Sequence, residues 1–276
     1  MKEGRPGPVS DIRLDGKVVI VTGASQGLGR TMAVGLAGAG ARLVITSIDG
    51  PRLAEAAAEI AGDEGEGRAL AIEADITERS DCERVLEHTL ATFGGLHVLV
   101  NNARRLHRGH PSASGPFWQA DHEYWRSAIN TNVGGSFLMA HTMTPHMIEQ
   151  GWGRIVNIST NIHQFQRANA SPYGVSKAAI EAETMIWAKD LEGTGVTVNT
   201  LLPGGSCDTG VPGRTGRPGQ KLLPPAVMVA PIIWLASDLS DGVTGGRYIG
   251  KDWDTNLAAA QAAEGARDLP PFRVPD

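Results

Sequence analysis

The chain has 276 residues, 41% of them hydrophobic, with a formal net charge of -5 and a pI near 5.9. That length buries a full core in one large domain, and the acidic balance excludes a basic footprint for nucleic acid, so a small-molecule ligand fits better. Two cysteines, Cys82 and Cys207, are too few for a disulfide framework and lack metal-ligand spacing, so a reducing cytoplasm and no metal are expected. Residues 1–13 hold no signal-peptide core and no run approaches ~20 apolar residues, so neither export nor membrane insertion is expected.

An unbroken apolar run at 17–21 (KVVIV) reads as a strand buried on both faces. It leads into Thr22-Gly23-Ala24-Ser25-Gln26-Gly27-Leu28-Gly29 and a helical segment to about Ala39. Strand, glycine-rich turn and helix aim backbone amides at a phosphate, because glycine lets a ligand approach the main chain and the helix start is partially positive. The glycines at 23, 27 and 29 do not make GxGxxG, so alone they also fit a tight turn. The alternation continues with strands at 42–46, 68–73 and 96–100 and helices at 51–61 and 77–93. Strands so separated need crossovers, hence a parallel sheet covered on both faces: a doubly wound α/β fold. In such sheets ligands sit beyond the carboxyl ends of the strands, where Thr22-Gly23, Thr46-Ser47, Asp75 and Asn101-Asn102-Ala103 fall.

Residues 104–120 read as a long, basic, Pro/Gly/Ser-rich loop, and 121–150 as one long helical region. A fifth strand at 154–158 ends in Ser159-Thr160-Asn161, and a sixth at 196–201 precedes the turn Pro203-Gly204-Gly205. Loop 204–225 carries Arg214, Arg217 and Lys221; a helix at 226–236 and a short strand at 247–250 bring the sheet to about seven strands. Between the fifth and sixth strands, Ser171-Pro172 is a helix-start signal, serine capping and proline in the first helical position, for a helix running through Trp187. Tyr173 then lies in the first turn, with Lys177 one turn on along the same face. A fixed ammonium and the helix start both favour the phenolate of a group that ordinarily titrates near pH ~10, moving Tyr173 toward acid-base work at neutrality. Alone, the pair also fits an amphipathic helix with a half-buried tyrosine.

In this order, TGASQGLG at 22–29, Asp75-Ile76, Asn101-Asn102-Ala103, Asn132 in NVGG, IVNIS at 155–159, Tyr173 with Lys177 and the Pro203-Gly204 turn resemble the short-chain dehydrogenase/reductase family. The resemblance covers roughly residues 14–250, with 1–13 an N-terminal extension and 251–276 a tail expected to be draped over the surface or loose. It implies a single Rossmann-like domain and an oxidoreductase moving hydride between a nicotinamide dinucleotide and a small alcohol or ketone. It further implies that Tyr173 exchanges the substrate proton, that Lys177 lowers its pKa and holds the nicotinamide ribose, and that Asn132 anchors a water relaying protons from Lys177. Gly23, Gly27 and Gly29 would approach the pyrophosphate, beside Thr22, Ser25, Gln26 and Leu28 of the same turn. Asp75 would bind the adenine edge next to Ile76, while Thr46, Ser47, Asn102, Ala103, Pro203 and Gly204 complete the cofactor site and Asn101 braces the sheet. For Asp75 and Asn132 the plainer alternatives are a helix cap and a structural side-chain-to-backbone bond. The family also suggests a homotetramer or homodimer. A dinucleotide-binding sensor without catalysis, or an epimerase or dehydratase on the same scaffold, are the competing functions.

The chain departs from the family pattern in places. The substrate-orienting serine position, thirteen residues before Tyr173, holds Thr160, whose hydroxyl can make the same bond and takes the role. Ser159 is one step off and, in an extended strand, faces the other side. Arg104 replaces the glycine of NNAG, which demands a different path, a side chain turned outward, or one facing a phosphate. Thr209 lies one residue further past Pro203 than usual, which weakens its expected contact on the nicotinamide side. Thr46-Ser47-Ile48 lacks the acid that would bind a ribose 2'-hydroxyl and repel a 2'-phosphate, favouring NADP over NAD. Gln26, where phosphate-binding relatives often carry a base, and the nearby Asp49 weigh against it, and Arg52 is either a supporting cation or a solvated surface arginine. The basic loops 104–110 and 214–221 are expected to border one mouth, which fits either solvated surface charge or an anionic or carboxylate-bearing substrate.

Overall fold

The structure, a computed structural model, describes residues 11–61, 68–105, 115–210 and 221–272. Strand β1 (Val18–Thr22) is buried at every position, as an unbroken apolar run in a doubly covered sheet must be. On one side of it lie β2 (Arg42–Ser47) and β3 (Ala69–Glu73). On the other lie β4 (Val98–Asn101), β5 (Gly153–Ile158), β6 (Val196–Leu202), β7 (Arg247–Ile249) and β8 (Arg267–Asp268). Their order is β3-β2-β1-β4-β5-β6-β7-β8, parallel throughout except for the antiparallel β7–β8 pair. The chain winds outward in opposite directions from β1 and β4, so the carboxyl ends of these neighbours, Thr22 and Asn101, open a crevice at the switch point.

Alternate residues of β1 supply two cores. Val19 and Val21 pack with α1 (Gly27–Gly38), α2 (Gly50–Ala61), α8 (Val229–Leu235) and α9 (Ala259–Ala266) through Met32, Leu36, Leu53, Ile232 and Ala262. Val18 and Ile20 face α3 (Arg79–Phe93) and α5 (Ser136–Glu149) through Val85, Met139 and Met143. Among the described residues no helix is long and apolar enough to cross a membrane.

Three expectations need correction. The sheet has eight strands, not about seven, because the expected loose tail instead forms α9, with Ala259, Ala262, Ala263 and Ala266 buried, and then β8. The region 121–150 is helical as expected, α4 (His122–Ile129) passing through a π-helical turn at Asn130–Gly135 into α5. A Cβ on Gly135 would come within 2.6 Å of the Ile76 side chain, so this turn is pressed against the cleft wall. The helix α7 (Tyr173–Asp190) starts at Tyr173 with Pro172 as its N-cap and no side-chain cap, because the Ser171 hydroxyl is engaged by the indole N–H of Trp125 at 2.9 Å. Strand β5 stops at Ile158, so the opposite facing expected of Ser159 and Thr160 does not apply. A short helix, α6 (His163–Gln166), lies between them and α7.

Candidate active site

The crevice is a cleft of about 980 Å³ running from the ends of β2 and β3, past the glycine turn, to the start of α7. Gly23 and Gly27 have φ of 64° and 61°, the left-handed backbone that glycine adopts without steric cost. A Cβ on Gly23 would stand 2.7 Å from Ala103 Cα, so this glycine also lets the β1 and β4 ends close on each other. Gly27, Leu28 and Gly29 open α1 on the cleft wall, with no side-chain cap and no acid in the first turn. Such a helix start keeps amides and partial positive charge for an anion.

Thr22 stands behind this wall: its Oγ1 donates to Val100 O (3.2 Å) and accepts from the amides of Asn102 and Ala103 (3.0 Å each). Asn102 and Ala103 border the cleft, and Asn102 Nδ2 donates to Thr22 O (2.8 Å) and Gly23 O (3.1 Å). Asn101 donates to Asn157 Oδ1 (3.0 Å), bracing β4 against β5. Ser25 and Ser47 share a 3.0 Å hydrogen bond that ties the glycine turn to β2. Gln26, Thr46, Ser47, Ile76 and Pro203 all line the cleft, whereas Gly204 lies beside it, its carbonyl accepting from Asn161 Nδ2 at 3.0 Å. Asp75 borders the cleft, and its Oδ1 accepts from Thr77 N (2.9 Å) and Thr77 Oγ1 (2.8 Å) in the turn ahead of α3, whose N-cap position is Glu78. Arg52 is held by Asp49 at 3.2 Å.

At the other end, Tyr173 and Lys177 line the same cleft as Ser159 and Thr160. Lys177 is buried and its Nζ donates to Ile158 O at 2.6 Å. Burial, reinforced by Arg104 and opposed by Glu181, pulls its pKa down to about 7. Asn132, turned inward by the π-helical turn, donates to Ser176 Oγ (3.0 Å) and accepts from the Arg105 amide (2.7 Å). Arg104 is half-buried and turned inward, its guanidinium carbon 5.7 Å from the Tyr173 ring centroid. Thr209 lines the cleft as well, its Cβ 3.3 Å from the position a Gly27 Cβ would take. Arg214, Arg217 and loop residues 106–110 lie outside the described residues.

Sequence reasoning passed over a buried group under this end. Glu181, one turn beyond Lys177, accepts from Arg247 Nε (3.1 Å), and Arg247 also donates to Thr160 O (3.0 Å) and pairs with Asp268 on β8. Burial raises the Glu181 pKa, against Arg247 and the hydroxyls of Ser159 and Thr200. Its i+4 spacing from Lys177 was a visible signal; its partner on β7 was not.

A nicotinamide dinucleotide fits these residues: an uncapped helix start at a glycine turn, and a buried Thr46 hydroxyl at the β2 end of the cleft with no hydrogen-bond partner. Parallel strands, a phosphate-ready turn and a tyrosine-lysine helix at one switch point define a dinucleotide-dependent oxidoreductase. A family model described as short chain dehydrogenase matches residues 17–215. The chain is 35% identical over 196 residues to a short-chain type dehydrogenase/reductase of Picea abies, covering 69% of this chain and 71% of that one. It is 35% identical over 203 residues to the NADPH-dependent aldehyde reductase 2, chloroplastic, of Arabidopsis thaliana, covering 69% and 72%. The crystal structure of 3-ketoacyl-(acyl-carrier-protein) reductase from Brucella melitensis, complexed with NADH, matches with a TM-score of 0.73 at 28% identity, covering 85% of this chain and 96% of that one. The chain belongs to the short chain dehydrogenase family and is an NAD(P)-dependent oxidoreductase acting on CH–OH and C=O groups.

Proposed function

We propose that the chain interconverts a small alcohol and its ketone or aldehyde, with Tyr173 as the proton donor and acceptor. The observation that carries this reading is that Tyr173, Lys177 and Thr160 border one end of the cleft whose other wall is the glycine turn. The dinucleotide, when bound, gives or takes hydride at its nicotinamide ring. Tyr173 gives its phenolic proton to the carbonyl oxygen in reduction and takes it back in oxidation. Thr160 orients that oxygen with its hydroxyl. Lys177 acts on the phenol as a neighbouring cation. Asn132 anchors a proton-relaying water on the Lys177 side, supported by its bond to Ser176 in the same helical turn. Tyr173→Phe is expected to lower kcat by at least ~10²-fold; a variant that turns over normally removes the mechanism.

NADP is the preferred cofactor. Support comes from Thr46 and Ser47, which end β2 without a carboxylate, and from the unpartnered Thr46 hydroxyl, while Asp49 is neutralised by Arg52. Fluorescence titration is expected to show NADPH binding about tenfold more tightly than NADH, one charge-assisted hydrogen bond's worth; equal affinities would remove the preference. The chain works as a homotetramer or homodimer, which the exposed apolar positions of α5 and α7 support.

A further inference from the structure

Three arginines, Arg104, Arg105 and Arg167, border the end of the cleft that holds Tyr173. The carboxylates of the cleft, Asp49, Glu73 and Asp75, belong to the other end, at the tips of β2 and β3. Several arginines elsewhere are matched with acids, Arg30 with Glu59, Arg84 with Asp81 and Arg247 with Glu181. Among the described residues, none of the three at this end forms an ion pair.

Arg104 is the most enclosed of them. Its guanidinium lies over the Tyr173 ring, and its charge acts on Lys177, reinforcing the drop that burial causes. The Arg104 guanidinium and the Lys177 amine therefore converge on one phenol, the amine kept partly neutral by burial and by that arginine. The carboxylate that acts on Lys177, Glu181, is already engaged by Arg247. Partly desolvated cations without a counter-charge are unfavourable, and they become favourable when an anion arrives between them. Arginine's planar fork is the donor set that matches a carboxylate.

We propose that Arg104 anchors an anion subsite beside Tyr173, and that the substrate is a hydroxy acid or oxo acid whose carboxylate it binds. Arg105 and Arg167 add attraction at the mouth. The subsite rests on the hydride-transfer reading above. The pyrophosphate of the dinucleotide carries the same kind of charge, so the test must separate the two sources.

The protein saturated with oxidised cofactor is titrated calorimetrically with 2-, 3- and 4-oxo acids and with the methyl ester of each. At least one acid is expected to bind about tenfold or more tightly than its ester. That preference should shrink as salt rises, a measurement that needs no variant. It should fall to about twofold or less in Arg104→Gln and recover in part in Arg104→Lys. No preference in the native chain, or one that survives Arg104→Gln, overturns the subsite. Titration with cofactor alone tests the other source: if Arg104→Gln weakens cofactor binding and leaves the acid-to-ester ratio intact, the arginine reads the pyrophosphate and the proposal falls. Turnover of neutral carbonyls is measured separately. Turnover of the oxo acids is measured beside it: absence of both removes the hydride-transfer reading, whereas turnover without acid preference removes the subsite alone.

Discussion

Lys177 shows how one buried residue couples charge to stability. Burial and Arg104 hold its pKa at about 7, with Glu181 the opposing influence. In the unfolded chain the same amine titrates near 10.5. Between these values the unfolded chain keeps a proton that the folded chain has released, so stability at this site rises with pH. Urea unfolding of the native chain and of Lys177→Met should therefore differ by a gap that widens in favour of the native chain between about pH 7 and pH 10, by at most about 1.4 kcal/mol per pH unit. A constant gap would mean that the folded chain keeps its ammonium. An anion entering beside Arg104 and Lys177 raises the charged fraction, so the charge that acts on Tyr173 strengthens as the cleft fills. At this scale the sequence was legible where local geometry decides: four residues along a helix put Tyr173 and Lys177 on one wall. It was not legible for Arg104, whose side chain follows a loop path that no periodic pattern specifies, nor for Ser171, whose hydroxyl is engaged by Trp125 from a distant helix.

Elements cooperate through the Glu181–Arg247 pair, which joins α7 to β7 beneath the catalytic end. Both residues are only 2% exposed, so neither can fall back on water if the other is lost. Removing one member of such a pair leaves an uncompensated buried charge. Arg247→Met is expected to destabilise the fold by ~3–5 kcal/mol in urea unfolding, and Glu181→Met in the same chain should restore much of that loss. A single substitution under ~1 kcal/mol would show that Lys177 or water satisfies Glu181 instead. Because Arg247 also holds the Thr160 carbonyl and Asp268, the terminal strand β8 is tied into the floor of the site. That link was invisible in sequence because α9 reads AAQAAEGA, where buried Ala259 and Ala262 differ too little in polarity from their neighbours to mark a core face, and β8 is two residues long.

For the molecule as a whole, the parallel sheet was legible from the strand-helix alternation and from β1, which is buried at every position and reads as a near-continuous apolar run, whereas β5 (GRIVNI) and β6 (VTVNTLL) are as buried but carry polar residues. The proposed interface with another copy carries a weaker signal, since α5 and α7 are apolar on more than one face. Phe137 and Ile148 on α5 are 44% and 42% exposed, and Val175 and Ile186 on α7 are 48% and 58% exposed. Each pair is spaced about three turns apart, which returns to the same side of its helix. Four large apolar side chains aligned in this way favour burial against a second copy, and a twofold interface would use each of them twice. Placing a charge there should separate the copies, since an unpaired carboxylate resists desolvation. Sedimentation velocity is expected to show an oligomer for the native chain and a shift of most material to monomer for Phe137→Glu with Ile186→Glu. Unchanged circular dichroism would establish that the monomer is folded, and a doubly charged variant that still sediments as the native oligomer would exclude this pair of helices as the interface.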